Sequence, residues 1–199
     1  MKISSRARLA LLTFCVLAAA FPSGAHAAAP PDCSAPAVAP HLRAFGDLRP
    51  YFIAPGGDFE SRSWTLTGGA RLADGSGPLR FGAARSSLQL SPGASATSPV
   101  FCVDLDYPTM RFFSVQRAAK SSSKLDVDVI YPALGTSKPK AVSVSGTSIW
   151  TLSKDVKLRP ELVDKAGGWR YVQLRFSAGA ATTGDWRVDD VLVDPRMRG

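Results

Sequence analysis

Two adjacent carboxylates, Asp189 and Asp190, stand inside the apolar run Trp186-Arg187-Val188-Asp189-Asp190-Val191-Leu192-Val193 near the end of the chain. Side chains of a strand alternate between its faces, so one of the two is expected to turn toward the interior. A buried carboxylate with nothing to compensate it costs several kcal/mol. A cation held by oxygens would remove that cost. A buried hydrogen bond, or a guanidinium such as Arg85, Arg111 or Arg187, would also do so.

The residues of nucleophilic and acid–base catalysis are scarce. The chain has two histidines, His26 and His41. Neither falls in a segment that could hold it rigidly beside a serine or cysteine nucleophile. Glu60 and Glu161 are the only glutamates, so a pair of carboxylates for glycoside hydrolysis would have to come mainly from aspartates. There is no glycine-rich phosphate loop and no zinc-binding helix motif. We expect no catalytic activity, and an extracellular hydrolase is the third class of reading.

The first 27 residues read as a secretory signal: Lys2, Arg6 and Arg8, then the uncharged run Leu9–Phe21, then Ala25-His26-Ala27 as a cleavage site. That run is too short for the roughly 20 residues of a membrane-spanning helix. Cys15 lies inside it, but Phe14 before it is too large for a lipid-attachment site. Cleavage before Ala28 leaves Cys33 and Cys102, an even pair in an oxidising compartment, and we expect a disulfide between them. Two cysteines with almost no histidine cannot complete a zinc site. The formal charge of +8 falls by three to +5 with the signal. The excess is spread out, which argues against a nucleic-acid groove and suits at most loose attraction to acidic wall polymers.

Residues 28–44 form an Ala/Pro-rich leader, expected to be extended and tied to the domain by the disulfide. From 45 to 195 short β-rich runs alternate with turn residues, and 196–199 form a tail. The expected strands are Trp64–Thr67, Ser87–Leu90, Val100–Leu105, Met110–Arg117, Lys124–Tyr131, Ala141–Val144, Ile149–Leu152, Trp169–Ser177 and Trp186–Val193. No mature segment has a sustained helical period, and only Pro160–Lys165 could make a helical turn. Leu125, Val127 and Val129 alternate with Asp126 and Asp128; Val172, Leu174 and Phe176 alternate with Tyr171, Gln173 and Arg175. One apolar and one polar face per strand defines an antiparallel sheet packed on one side, and two such sheets make a sandwich. We therefore expect an all-β fold, an antiparallel β-sandwich of the jelly-roll kind with about 8–9 strands.

Two segments carry a resemblance. One is Gly56-Gly57-Asp58-Phe59-Glu60 with Ser63-Trp64 behind it; the other is Gly184-Asp185-Trp186 through Asp194. Together they resemble the opening turn and closing strand of secreted jelly-roll carbohydrate-binding modules of the galactose-binding-like kind. The resemblance implies that turn and strand lie side by side and share a structural calcium. Glu60 would give a carboxylate, Asp58 a backbone carbonyl, and Asp189 or Asp190 the carboxylate of the last strand. It also implies a sugar site of rings and polar groups on an open sheet face. Trp169, Tyr171, Gln173 and Arg175 have that mix on one strand; Asp126 and Asp128 could join from another, Trp150 from a loop, and Arg111 is unusual enough to include. The alternative for this face is an ordinary solvated surface of cross-strand Arg–Asp pairs. Trp64 and Trp186 are expected in the core. The resulting expectation is a secreted, non-catalytic module for a polysaccharide or cell-wall glycan. The alternative is a surface-associated structural or protein-interaction sandwich without sugar binding.

Overall fold

Alternation builds this molecule strand by strand. The computed structural model describes residues 33–34, 36–79, 85–116, 123–132, 136–158 and 170–194, with only the backbone of 136–140. The signal segment, the turn expected at 160–165, Trp169 and the 196–199 tail lie outside the described residues.

Among the described residues thirteen strands form two antiparallel sheets. One contains β1 (Phe52–Ile53), β3 (Arg71–Asp74), β4 (Ser86–Leu90), β7 (Thr109–Gln116), β10 (Thr151–Leu152), β11 (Val156–Lys157) and β13 (Trp186–Asp194). The other contains β2 (Thr65–Thr67), β5 (Ser95–Thr97), β6 (Phe101–Val103), β8 (Lys124–Tyr131), β9 (Thr136–Ser145) and β12 (Arg170–Ala178). The chain crosses repeatedly from one sheet to the other, as in a jelly roll. The expected 8–9 strands were too few. β1, β3, β5 and β11 have two to four residues each, too short for alternation to show, and pairing rather than sequence period defines them.

β8 and β12 pair over six residues, Gln173↔Ile130 to Ala178↔Leu125. Their apolar sets, Leu125, Val127 and Val129 with Val172, Leu174 and Phe176, are fully buried. Facing them are Phe112 from β7 and Trp186 and Val188 from β13. The Phe112 ring meets Phe176 edge-on, with centroids 4.9 Å apart. Trp64 lies in the same core, between Phe59 and Phe176.

A second apolar cluster lies on the outer side of the larger sheet. Leu42, Tyr51, Phe113 and Leu192 are buried there, with Trp150, Leu152 and Leu79 packed against them. Ala39 bridges to Tyr51, a short 3-10 turn spans Arg43–Phe45, and the Phe45 ring rests 5.2 Å from Phe113. The leader therefore crosses the outer face of that sheet. At its start Cys33 is bonded to Cys102 of β6, in the other sheet.

Candidate functional site

The opening turn lies against the closing strand. Ala54 N–H donates to the carbonyl of Val191, and Val191 N–H donates to the carbonyl of Gly57, each at 2.9 Å. The approach leaves no room for a side chain at 57, where a Cβ would lie 2.9 Å from that of Val191.

Beside this contact β13 is irregular. Its register against β7 shifts between Asp189 and Leu192, and Asp190 has φ 53°, a left-handed conformation that aspartate tolerates better than most residues. Strict alternation would have turned only one aspartate inward. The bulge breaks the alternation, and both are buried, each 1% exposed. Gly77 N–H donates to Asp189 Oδ2, Asp190 N–H to Asp189 Oδ1 at 2.9 Å, and Leu79 N–H to Asp190 Oδ2 at 3.1 Å. Glu60 Oε1 accepts N–H bonds from Arg85 and Ser86, and Asp58 Oδ1 one from Glu60.

Burial pushes Asp189 up to about 8, and the charges of Asp190 and Glu60 push it the same way against its hydrogen bonds from Gly77 and Asp190. Burial pushes Asp190 up to about 7; the Leu79 N–H opposes this and the Asp58 charge adds to it. Neither buried carboxylate has an ion-pair partner among the described residues, so Arg85, Arg111 and Arg187 do not compensate them there. Two adjacent carboxyl groups beside backbone carbonyls are oxygen donors of the type calcium takes, and the N–H groups of Gly77, Leu79 and Asp190 occupy part of them. Among the described residues no three carboxylate, imidazole or thiolate groups gather around one point. A calcium ion would therefore need carbonyl oxygens as well.

The polar face of β12 is occupied by mutual pairing. Arg175 donates to Asp128 through Nε at 2.9 Å and also through Nη2. Gln173 Nε2 donates to the Ser98 carbonyl at 2.9 Å, and Ser143 Oγ to Asp126. Tyr171 stands opposite Cys102, while Ser177 and Arg175 stand opposite Ser95 and Thr97. Arg111 and Trp150 belong to the other sheet and are not brought to this face. Arg111 donates to the Ser153 carbonyl at 3.1 Å and lies 3.5 Å from both Asp47 and Asp155.

Trp150 instead lines a cleft of ≈ 460 Å³ on the outer side of the larger sheet. Ser148 and Ile149 accompany it, Val115 and Arg187 come from β7 and β13, and Asp74, Gly75 and Ser76 complete the lining. Ile149 is 72% exposed. The volume falls within the roughly 300–1,000 Å³ of small-ligand sites. A second hollow of ≈ 380 Å³, at the open edges of β9 and β10, is lined among the described residues by serines, threonines, Val142, Val144, Leu152 and Lys154, with no aromatic ring among them.

Sequence reasoning chose Trp150 but missed Arg187 and the 74–76 loop. Arg187 did carry a signal: it is a lone cation between inward-facing Trp186 and Val188. The loop read only as a turn.

No family model matches the chain, and no curated protein does either. Solved structures are similar to it in fold at low identity. The family 11 carbohydrate-binding module of a cellulosomal cellulase of Clostridium thermocellum is 13% identical, with 73% of this chain and 95% of the module covered and a TM-score of 0.42. A xylan-binding domain from Paenibacillus barcinonensis is 11% identical, with 68% and 86% covered and a TM-score of 0.43. An arabinose-bound α-L-arabinofuranosidase is 17% identical with a TM-score of 0.49; 72% of this chain is covered, and it spans 26% of that enzyme.

Proposed function

We propose that this protein is an extracellular, non-catalytic carbohydrate-binding β-sandwich that takes its glycan in the Trp150 cleft. The observation that carries the reading is the makeup of that cleft: an indole, a fixed guanidinium and serines line one hollow. An aromatic ring offers an apolar face to a pyranose ring, and hydroxyls, carbonyls and charged groups take the sugar hydroxyls. Asp74 is the single carboxylate residue of the lining among the described residues, which supports binding over hydrolysis, as that ordinarily uses two. The Cys33–Cys102 bond supports an oxidising, extracellular setting. One ring in a concavity suits single glycan chains of a polysaccharide or cell wall, where a crystalline surface would call for a planar array of rings.

The test is titration of the protein with soluble cellohexaose and xylohexaose and a wider glycan array. Wild type is expected to bind at least one glycan, and Trp150→Ala to weaken that binding by about tenfold to a hundredfold, as for a central aromatic anchor. The melting transition shows whether the variant remains folded. No binding to any glycan sinks the reading, and unchanged affinity in Trp150→Ala removes the cleft from it. A second reading, a structural or protein-interaction sandwich without sugar binding, is favoured by the Arg175–Asp128 and Gln173–Ser98 pairs covering the β12 face. It predicts an empty array.

We further propose that Asp189 and Asp190, with Glu60 nearby and carbonyls of the opening turn, hold a structural calcium. Calcium at about a hundred times its dissociation constant would then add about 2.7 kcal/mol of stability. Chelator is expected to lower the melting temperature of wild type and to leave Asp190→Asn unchanged. A chelator-insensitive wild type removes calcium from the account.

A further inference from the structure

One wall of the cleft depends on a residue two strands away in the same sheet. β3 ends at Asp74, and Gly75 leaves the ladder with φ 101°. Three successive carbonyls there, those of Ala73, Asp74 and Gly75, accept from Arg187 Nη2 at 2.8, 2.6 and 2.9 Å. Arg187 Nε and Nη2 also reach Ser87 Oγ, at 3.0 and 2.6 Å, and Ser87 Oγ in turn donates to the Gly75 carbonyl. Ser87 is fully buried and lies outside the cleft lining. Two residues further along β13, Asp189 takes the Gly77 N–H. One short stretch of β13 thus holds the loop from 73 to 77 at several points.

We propose that Arg187 is the positioning residue of the cleft: it fixes the backbone of 73–75, and so the wall carrying Gly75 and Ser76, relative to Trp150. This rests on the carbohydrate-binding reading. Nη2 alone meets the three carbonyls while Nε turns to Ser87 Oγ, a two-pronged hold with fixed spacing that a lysine ammonium, a single point charge on a flexible stem, does not reproduce. Its action runs through the loop. Ser87, which no ligand in the cleft touches, is the second half of the same fastening.

The experiment compares wild type, Arg187→Lys, Ser87→Ala and the double variant. Each is titrated with whichever of cellohexaose and xylohexaose wild type binds, and amide hydrogen exchange is followed over residues 73–77. Each single variant is expected to bind about tenfold more weakly, the scale of one lost charge-assisted hydrogen bond, and the double variant no more weakly than the worse single. Exchange at 75 and 77 is expected to quicken in all three. Wild-type affinity and protection in Ser87→Ala, with binding lost in Arg187→Lys, would mean that Arg187 serves the ligand directly, and that overturns the proposal. Additive losses with unchanged exchange overturn it too. If Arg187→Lys does not fold, Ser87→Ala decides alone by the same two readouts. If wild type binds neither sugar, a glycan that it binds on the array takes their place; if it binds none, the carbohydrate reading fails separately, and exchange still decides whether Arg187 fastens the loop.

Discussion

Replacing both Cys33 and Cys102 by serine is expected to lower stability by about 4 kcal/mol and the melting temperature by roughly 10 °C. The bridge spans 69 residues, and its Cα atoms lie 5.5 Å apart, a usual separation for a disulfide. In the chain-entropy account, closing a loop of this length removes many conformations from the unfolded chain. The folded chain loses little, because its ends already lie together: Ala39 pairs with Tyr51, and Leu42 is buried against Phe113 and Leu192. Thermal and urea melts of the oxidised wild type and the double variant measure the effect. Equal melting would show that the bridge contributes nothing.

A change of similar size is expected at Arg49. Its guanidinium donates to Asp194 through Nη1 at 2.8 Å and to Asp47 through Nη2 at 2.6 Å, and it lies 5.4 Å over the Tyr51 ring. The Asp194 side chain is 2% exposed. Arg49→Met leaves that carboxylate buried without its cation, which costs about 3–5 kcal/mol in comparable buried pairs. The Arg49 hydrogen bonds are the main reason the Asp47 carboxyl is held well below the usual carboxylate range; burial opposes them and the Tyr51 hydroxyl assists. A folded-state pKa below the unfolded one means stability that is present at neutral pH and lost as pH falls through the folded value. Burial pushes Asp194 the opposite way, against the pull of Arg49, so acid relieves the stranded charge in the variant. The gap between wild type and Arg49→Met is therefore expected to narrow as pH falls from about 7 to about 3. Urea midpoints across that range measure it, and a constant gap would mean that Asp194 is not coupled to Arg49.

Both predictions concern the leader and the first residues of the domain after it, and the sequence reading had only an extended appendage over 28–44. Its composition hid its role, because Leu42, Phe45 and Tyr51 are scattered among prolines and alanines without a period. Strands of eight or nine residues were legible where one face is apolar. Lys124–Tyr131 has the bounds read from its alternation, and Trp186–Asp194 runs one residue beyond expectation. The shortest strands were not legible. Ser95–Thr97 exists because β2 and β12 bracket it, a fact about pairing that three residues cannot encode. The meeting of the opening turn and closing strand followed from the resemblance carried by 56–60 and 184–194, and not from any period or spacing in this chain. The burial of both aspartates was not legible, because period two was assumed through a bulge. The β12 face had the expected residue types, but its cross-strand partners were beyond a single-strand reading. In the cleft Trp150 was visible as a ring near a strand edge. Its companions arrive by register, Arg187 opposite both Gln89 and Val115, and by a loop that Arg187, Ser87 and Asp189 hold together.

The position of the disulfide has a mechanical consequence. A pull at the amino end meets Cys33 before any strand and passes through a covalent bond into β6. The stretch from Ala39 to Tyr51, with the hydrophobic contacts beneath it, is bypassed and carries no tension. Such a molecule held by its leader in flowing fluid would keep Phe113 and Leu192 under cover of an unloaded strap. After reduction the same pull would peel the strap from Phe113 and Leu192 first.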